Sequence, residues 1–282
     1  MSIGIIKKVR KIPKAIGQWF ELRNMPLRLE FVVTDYCNLN CKGCSHYSPL
    51  AKKEFESLES LESSMRHLGE VCRGDVKKVY LIGGETLLYP DLVEAMKLMR
   101  KYFPLPVEAH IFTNGIALPK MSDEFWDVAK ELDYIMSITL YPIKFDFNSA
   151  IALCESKGVK TSIFDDRSNA NSFFRFKLNP KKNQNGAISH FKCYNRGCIS
   201  IIGNRLYPCP LSACVGHLNK ACGTDFRHEE GDWLDVDKIT SAKEIIKFRN
   251  HPVPFCKYCD NPPEVVDYGP SRRDVSEWVD EG

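Results

Sequence analysis

The sequence lacks any apolar run longer than one β-strand, and this excludes a membrane-spanning helix. A secretion signal is also missing, because the apolar run at residues 3–6 is short and no small-residue cleavage site follows it. Charge of one sign is not in excess, since 39 Lys and Arg stand against 36 Asp and Glu. Repeats of the solenoid type are not visible. We therefore expect a cytoplasmic globular protein.

Cysteine is the residue that the sequence has in excess, with 12 in 282 residues. Without an export signal these thiols are expected to stay reduced, which favours metal ligation over a disulfide framework. Cys72 and Cys154 stand alone in helical segments, so we expect small buried side chains there. The others form two groups: Cys37, Cys41 and Cys44, then Cys193, Cys198, Cys209, Cys214, Cys222, Cys256 and Cys259.

Residues 1–26 form a basic segment. Residues 1–28 have a net charge of +6, which leaves −3 for the rest of a chain whose total is +3. Apolar residues recur at helical spacing from Ile5 to Phe20, interrupted by Pro13, and predict a helix packed on the body. The alternative is contact of residues 1–25 with a membrane surface or a partner. The mildly acidic body does not favour nucleic acid as a partner.

Strand and helix patterns alternate along the first half of the chain. Apolar runs predict strands, and helical spacing predicts helices between them. The strands are predicted at 27–34, 76–82, 107–113, 135–140 and 159–164, and the helices at 57–71, 91–102, 122–132 and 148–157. This alternation is typical of an α/β fold with parallel βαβ units.

Three groups of polar residues lie where predicted strands end. They are the first cysteine group, Gly83-Gly84-Glu85 and Thr113-Asn114-Gly115. Because parallel strands present their carboxyl ends at one edge of a sheet, we expect these groups to lie together there.

The first cysteine group is a short loop, Cys37-x3-Cys41-x2-Cys44. It provides three soft ligands, whereas a structural zinc site needs four, usually as two close pairs. His46 would be a strained fourth ligand, so we expect it to contact solvent or substrate, or to have no role. Three thiolates suit an iron–sulfur cube with one iron open to another ligand.

This loop, followed by Gly83-Gly84-Glu85 after the second strand, resembles the radical SAM enzyme superfamily. The resemblance implies a partial (β/α)6 barrel over residues 27–165, in which the three cysteines hold a [4Fe–4S] cluster. It implies that S-adenosylmethionine binds the fourth iron and is cleaved reductively to a 5′-deoxyadenosyl radical that takes hydrogen from a substrate. An electron donor such as flavodoxin or ferredoxin is then expected.

The resemblance also implies contacts to S-adenosylmethionine. Gly83 and Gly84 would let backbone approach its amino group, and Glu85 would lie near its cationic end. Less specific matches, to ribose and carboxylate contacts, are Thr113, Asn114 and Ser137.

One position departs from the family pattern. Many members have an aromatic residue just before the third cysteine, where it touches adenine, but this sequence has Gly43. Tyr36 and Tyr47 are the two alternatives for that contact.

The second cysteine group begins with a predicted hairpin that turns at Gly203-Asn204. A hairpin brings its two ends together, so Cys198 and Cys209 are expected to bind one metal with the close pair Cys256 and Cys259. Cys193 is the alternative to Cys198. Four thiolates suit either zinc or a second iron–sulfur cluster.

A hairpin of this kind followed by a distant CxxC resembles the SPASM and twitch extensions of radical SAM enzymes. With no cysteine after Cys259, the twitch form with one auxiliary [4Fe–4S] cluster fits better. This implies a small cysteine-rich α+β domain at 190–282, joined to the barrel by a linker or substrate loop at 166–189. Cys214 and Cys222 are expected to pack nearby. The run from Phe173 to Phe176 either holds substrate or is a packing strip.

The predicted function is hydrogen abstraction from an organic substrate, with oxidation of an alcohol on a sugar or aminocyclitol as the suggested reaction. A peptide-modifying maturase is the second hypothesis, although the 36 residues before Cys37 are too few for a leader-binding domain. A non-catalytic zinc-binding interaction module is the third. The sequence names no catalytic acid or base.

Overall fold

The computed structural model describes residues 25–165 and 173–280. The predicted N-terminal helix therefore lies outside the described residues. The strands are β1 (Leu27–Thr34), β2 (Val76–Gly83), β3 (Glu108–Thr113), β4 (Tyr134–Leu140), β5 (Lys160–Asp165), β6 (Phe173–Leu178), β7 (Ser200–Ile202), β8 (Arg205–Tyr207), β9 (Leu234–Asp235) and β10 (Cys259–Val266). The helices are α1 (Leu58–Val71), α2 (Leu92–Tyr102), α3 (Asp123–Glu131), α4 (Phe147–Ser156), α5 (Gly186–Lys192), α6 (Pro210–Cys222) and α7 (Ala242–Arg249).

The main sheet is mostly parallel and has the strand order β5-β4-β3-β2-β1-β7-β8-β9. Strands β1 to β5 are parallel neighbours, with α1 to α4 as their connections. This arrangement confirms the predicted α/β fold and is consistent with a partial barrel. The described residues form an open sheet rather than a closed barrel.

Strand β6 does not extend the parallel sheet beyond β5. It pairs in antiparallel fashion with β10 in a separate two-stranded sheet. The segment 166–189 was predicted to be a linker or loop, but its residues 173–178 form this strand and α5 begins at Gly186. Asp166 and Arg167, beside the predicted substrate strip, lie outside the described residues.

The hairpin of β7 and β8 joins the main sheet beside β1, on the side of the sheet away from β5. Strand β7 pairs in parallel with β1, where Glu30 faces Ser200, and β8 pairs with β7 and β9. The predicted domain boundary after residue 189 therefore does not separate two sheets, because β7, β8 and β9 belong to the same sheet as β1 to β5. This pairing places the second cysteine group against the first strand.

Local sequence explains the helix boundaries. Side chains of Ser57, Ser122 and Asp146 accept hydrogen bonds from the first turns of α1, α3 and α4, which are N-caps of the preferred residue types. The fully buried Cys72 and Cys154 lie in the main apolar core, as predicted. Among the described helices, none has the length and apolar character to cross a lipid bilayer.

Candidate active site and second cysteine cavity

The groups predicted to meet at the strand ends line one cavity of about 310 Å³. All three thiols of the first group face it. The other members of the predicted set that line it are Gly83, Gly84, Thr113 and Asn114. The Asn114 side chain donates to Asn38 Oδ1 at 2.7 Å and lies 3.8 Å from Cys37 Sγ, which ties the end of β3 to the cysteine loop.

Burial makes the three thiols poor acids in the absence of a cation. It raises the pKa of Cys37 and Cys44, and it raises the pKa of Cys41 to about 12. Thiolates are nevertheless the form that binds metals, so a bound cation has to offset this burial cost. Three buried thiols on one cavity wall are therefore a donor set suited to a soft metal centre.

The C-terminal segment holds the cysteine loop in place. Asn40 and Lys42 exchange backbone hydrogen bonds with Ser271 and Gly269, at 2.7 and 2.9 Å. The Tyr268 hydroxyl lies 3.5 Å from Cys41 Sγ. The loop geometry thus depends on residues more than 220 positions away in the chain.

The two glycines after β2 are required by the approach of another backbone. A Cβ on Gly83 would lie 1.9 Å from the Thr34 carbonyl oxygen, and one on Gly84 would lie 2.4 Å from that of Asp35. Any side chain would separate β2 from the end of β1. The glycines therefore allow β2 to lie close to the end of β1, and they also line the cavity.

Glu85 does not line the cavity. It is 1% exposed, and its carboxylate accepts hydrogen bonds from Leu87 N–H at 3.0 Å, the Thr113 hydroxyl at 2.6 Å and Asn114 N–H at 2.8 Å. Burial raises the pKa of Glu85, although these three donors act against the increase. The Glu85 carboxylate thus turns inward and fixes residues 113 and 114, and its contact with the cationic end of S-adenosylmethionine stays a prediction.

Glu85→Gln is expected to lower the free energy of unfolding by about 1–3 kcal/mol, because the new amide N–H₂ meets a buried donor. Binding of S-adenosylmethionine should weaken in parallel, since Thr113 and Asn114 lose their support. Urea unfolding and equilibrium binding measure the two effects. Glu131→Gln, at an exposed position on α3, is the control. Equal stability of the two variants would contradict this role.

Ser137 does not line the cavity but lies behind the residues that do. It is buried, and its hydroxyl is 2.9 Å from His110 Nδ1. Thr139 and Tyr141, further along the chain, line the cavity instead. Since residues two apart share a strand face, Thr139 follows Ser137 on the same face and reaches the end of the sheet.

The glycine before the third cysteine is explained by Arg175. A Cβ on Gly43 would lie 3.0 Å from Arg175 Cγ, and Gly43 has a φ of +68°. Arg175 is held by an ion pair with Glu264 across β6 and β10. An aromatic side chain at this position would collide with the arginine.

Neither tyrosine predicted to replace that aromatic residue lines the cavity. Tyr36 lies with its ring 5.8 Å from the Lys53 ammonium, and Tyr47 is fully buried in a separate apolar cluster. Six other aromatic residues line the cavity: Phe112, Tyr141, Phe173, Phe174, Phe176 and Tyr194. The Phe173–Phe176 strip therefore forms part of the wall. Phe112 was missed, although it directly precedes Thr113.

A hydrogen-bonded network connects the cysteine loop with α6. The Asp35 carboxylate lies 3.3 Å from His46 Nδ1 and 2.9 Å from His217 Nε2, and it accepts from the Cys214 thiol at 3.4 Å. Burial would raise the pKa of Asp35, but the two histidines hold it below its usual range. His46 lines the cavity, while Cys214 and His217 line a neighbouring one.

Cysteines of the second group also line a cavity. Cys193 lies there in place of Cys198, which was the preferred prediction. Four cysteines line this second cavity: Cys193, Cys209, Cys256 and Cys259. Cys198 instead accepts from the Arg28 guanidinium at 3.4 Å. The cause is the pairing of β7 with β1, which brings residue 198 beside Arg28 on the neighbouring strand.

Polar atoms without partners surround the second cavity. Asn195 Nδ2, Arg196 Nε and Asn261 Oδ1 are buried and have no hydrogen-bond partner among the described residues, and all three residues line this cavity. Buried polar atoms are usually paired, so two unpaired donors facing a cavity indicate a ligand that accepts hydrogen bonds.

Comparison with known proteins defines the class. Residues 31–140 match the Radical SAM superfamily. The match confirms the predicted recognition for these residues: they form a radical SAM domain, and a domain of this superfamily indicates an enzyme. Members of this superfamily use a [4Fe–4S] cluster and S-adenosylmethionine.

Individual relatives share parts of this domain. A GTP 3′,8-cyclase from Aliarcobacter butzleri is 31% identical over 99 residues, 35% of this chain and 30% of the relative. Molybdenum cofactor biosynthesis protein 1 from Bos taurus is 29% identical over 119 residues, 42% of this chain and 19% of the relative. The alignments thus span less than a third of either relative.

A solved structure matches over most of the chain. The crystal structure of BtrN in complex with AdoMet and 2-DOIA covers 87% of this chain and 98% of its own, with a TM-score of 0.53 and 17% identity. The similarity shows that the two proteins share a fold.

Proposed function

We propose that this protein is a radical SAM dehydrogenase that oxidises an alcohol on a sugar-like or aminocyclitol substrate. The observation that carries the proposal is the presence of two separate cysteine cavities in one fold. Three thiols line the first cavity, which is the larger of the two, and four thiols line the second.

In the first cavity, Cys37, Cys41 and Cys44 are the proposed ligands of the [4Fe–4S] cluster. Three thiolates leave one iron for S-adenosylmethionine, and Gly83, Gly84, Thr113 and Asn114 line the remaining space. When bound, the cluster would pass one electron from an external donor to S-adenosylmethionine, giving methionine and a 5′-deoxyadenosyl radical that takes a hydrogen atom from the substrate. Glu85 keeps Thr113 and Asn114 in position for this binding.

In the second cavity, Cys193, Cys209, Cys256 and Cys259 are the proposed ligands of an auxiliary [4Fe–4S] cluster. Four thiolates are a complete set for such a cluster. The unpartnered N–H groups of Asn195 and Arg196 fit its sulfur atoms, and the guanidinium complements its negative charge. The thiolate sulfurs of a four-cysteine zinc site would accept the same hydrogen bonds, so metal analysis distinguishes the two centres.

The second cluster favours an oxidation. Removing a hydrogen atom from an alcohol carbon leaves a substrate radical, and loss of one more electron and one proton gives a ketone. A second cluster in the same chain is a suitable acceptor for that electron. The fold similarity to BtrN, whose structure contains AdoMet and 2-DOIA, supports a small substrate.

Anaerobic reconstitution with iron and sulfide tests this function. We expect about eight irons per chain, the number in two cubes. With dithionite and S-adenosylmethionine, a panel of aminocyclitols and sugars deuterated at carbon should include one that transfers deuterium to 5′-deoxyadenosine. The same compound should yield a product two hydrogens lighter, detected by mass spectrometry.

Two results would contradict the proposal. About four irons with one zinc per chain would rule out the auxiliary cluster. Deuterium transfer from a peptide side chain, with none from any alcohol in the panel, would favour the maturase hypothesis instead.

A further inference from the structure

Three side chains of metal-binding type, which neither proposed cluster uses as ligands, meet between the cysteine loop and α6. Asp35 directly follows β1, His46 lies just beyond the cysteine loop, and Cys214 lies on α6. One donor atom from each residue lies within 4.8 Å of the other two. Because the three residues belong to separate segments of the chain, the fold brings an oxygen, a nitrogen and a sulfur donor together.

The distances between these atoms fit the edges of a tetrahedron around one metal ion. Asp35 Oδ1 lies 3.3 Å from His46 Nδ1 and 3.4 Å from Cys214 Sγ, and Nδ1 and Sγ lie 3.8 Å apart. Zinc bonds of about 2.0 Å to oxygen and nitrogen and about 2.3 Å to sulfur give tetrahedral edges of about 3.3, 3.5 and 3.6 Å. The nitrogen–oxygen distance also exceeds the range of about 2.7–3.2 Å that N–H···O hydrogen bonds prefer. The three atoms are thus spaced as ligands of one ion.

The three donors are sheltered from solvent but can be reached by an ion. The side chains of Asp35 and His46 are 14% and 13% exposed, and Cys214 is 2% exposed. Asp35 and Cys214 also line the neighbouring cavity, which provides an entry path. His217 Nε2 lies 2.9 Å from the other carboxylate oxygen, Asp35 Oδ2. Hydrogen bonds of this kind orient carboxylates that bind metals.

We propose that Asp35, His46 and Cys214 bind a single zinc ion, with water as the fourth ligand. One oxygen, one nitrogen and one sulfur donor suit a borderline ion such as zinc. Magnesium and calcium prefer oxygen ligands, and iron–sulfur clusters prefer thiolates. Because His46 lines the first cavity, the ion joins α6 to the wall of that cavity. This site is separate from both cysteine cavities and does not depend on the proposed function.

Zinc binding to the reconstituted holoenzyme tests the inference. Zinc is added after the iron–sulfur clusters are assembled and excess iron is removed, and unbound zinc is then removed by gel filtration. We expect about one zinc beside about eight irons per chain. X-ray absorption at the zinc edge should show one sulfur at about 2.3 Å and nitrogen or oxygen ligands at about 2.0 Å. Absence of bound zinc, or zinc surrounded by several sulfurs, would overturn the inference.

Cys214→Ala and Cys222→Ala are a matched pair, because both thiols lie on α6. Cys214→Ala is expected to lose the zinc and to keep about eight irons. Cys222→Ala should keep both metals at the level of the unmodified protein, because Cys222 is partly exposed and is not one of the three donors. Elemental analysis measures both metals. Full retention of zinc by Cys214→Ala would contradict the site.

The two metal counts and the zinc ligands separate this inference from the proposed function. About eight irons without zinc would overturn the zinc site and leave the dehydrogenase proposal intact. About four irons with zinc bound to one sulfur would overturn the auxiliary cluster and support the zinc site. About four irons with zinc bound to four sulfurs would place zinc in the second cavity and overturn both.

Discussion

Replacing Cys37, Cys41 and Cys44 together by alanine is expected to remove about four of about eight irons per chain and to abolish reductive cleavage of S-adenosylmethionine. The three thiols are the only cysteines among the described residues that line the larger cavity. Without them no metal can be held beside the S-adenosylmethionine site. Iron analysis and a 5′-deoxyadenosine assay under dithionite measure both effects, and the second cluster should keep its spectrum.

Cys222→Ala is the control for this variant. Cys222 ends α6, is partly exposed and lines neither cysteine cavity. Its loss should leave iron content and cleavage at the level of the unmodified protein. Substantial cleavage by the triple variant would show that the reactive cluster lies elsewhere and would contradict the assignment of the first cavity.

Cys193→Ala and Cys198→Ala should have opposite effects. Cys193→Ala is expected to lose about four irons, because it removes one of the four thiols of the second cavity. Formation of 5′-deoxyadenosine should continue without coupling to product, since the first cavity is intact and the electron acceptor is missing. Iron content, optical spectra and product analysis check this result.

Cys198→Ala is the matched variant, five residues away. Its thiol contacts Arg28 rather than the second cavity, so its removal should leave about eight irons and coupled turnover. The reverse pattern, with iron lost from Cys198→Ala and kept by Cys193→Ala, would restore the ligand set expected from the hairpin alone.

Local patterns were sufficient for the barrel strands and for the first cavity. The alternation of apolar runs and helical spacing predicted β1 to β5 to within about two residues, because each pattern depends on neighbours in the chain. Parallel strands then bring their ends together, and the cysteine loop, the glycines and Asn114 do line one cavity. The orientation of the Glu85 side chain was not predicted, because residue spacing does not show which way a buried carboxylate turns.

The second cavity depended on contacts that no local pattern contains. The hairpin was predicted correctly. Because it pairs with β1, Cys198 lies beside Arg28, and Cys193 rather than Cys198 lines the second cavity. Arg175 at Gly43 and Tyr268 at Cys41 are also contacts between distant segments.

The sequence by itself determined the class of protein, because three thiols on a short loop and two glycines after a strand are local requirements of chemistry and packing. Only the tertiary structure decided which cysteines share the second cavity and which way the Glu85 carboxylate turns. The physical reason is that strand pairing and side-chain packing join residues far apart in the chain, and their partners are chosen by the whole fold.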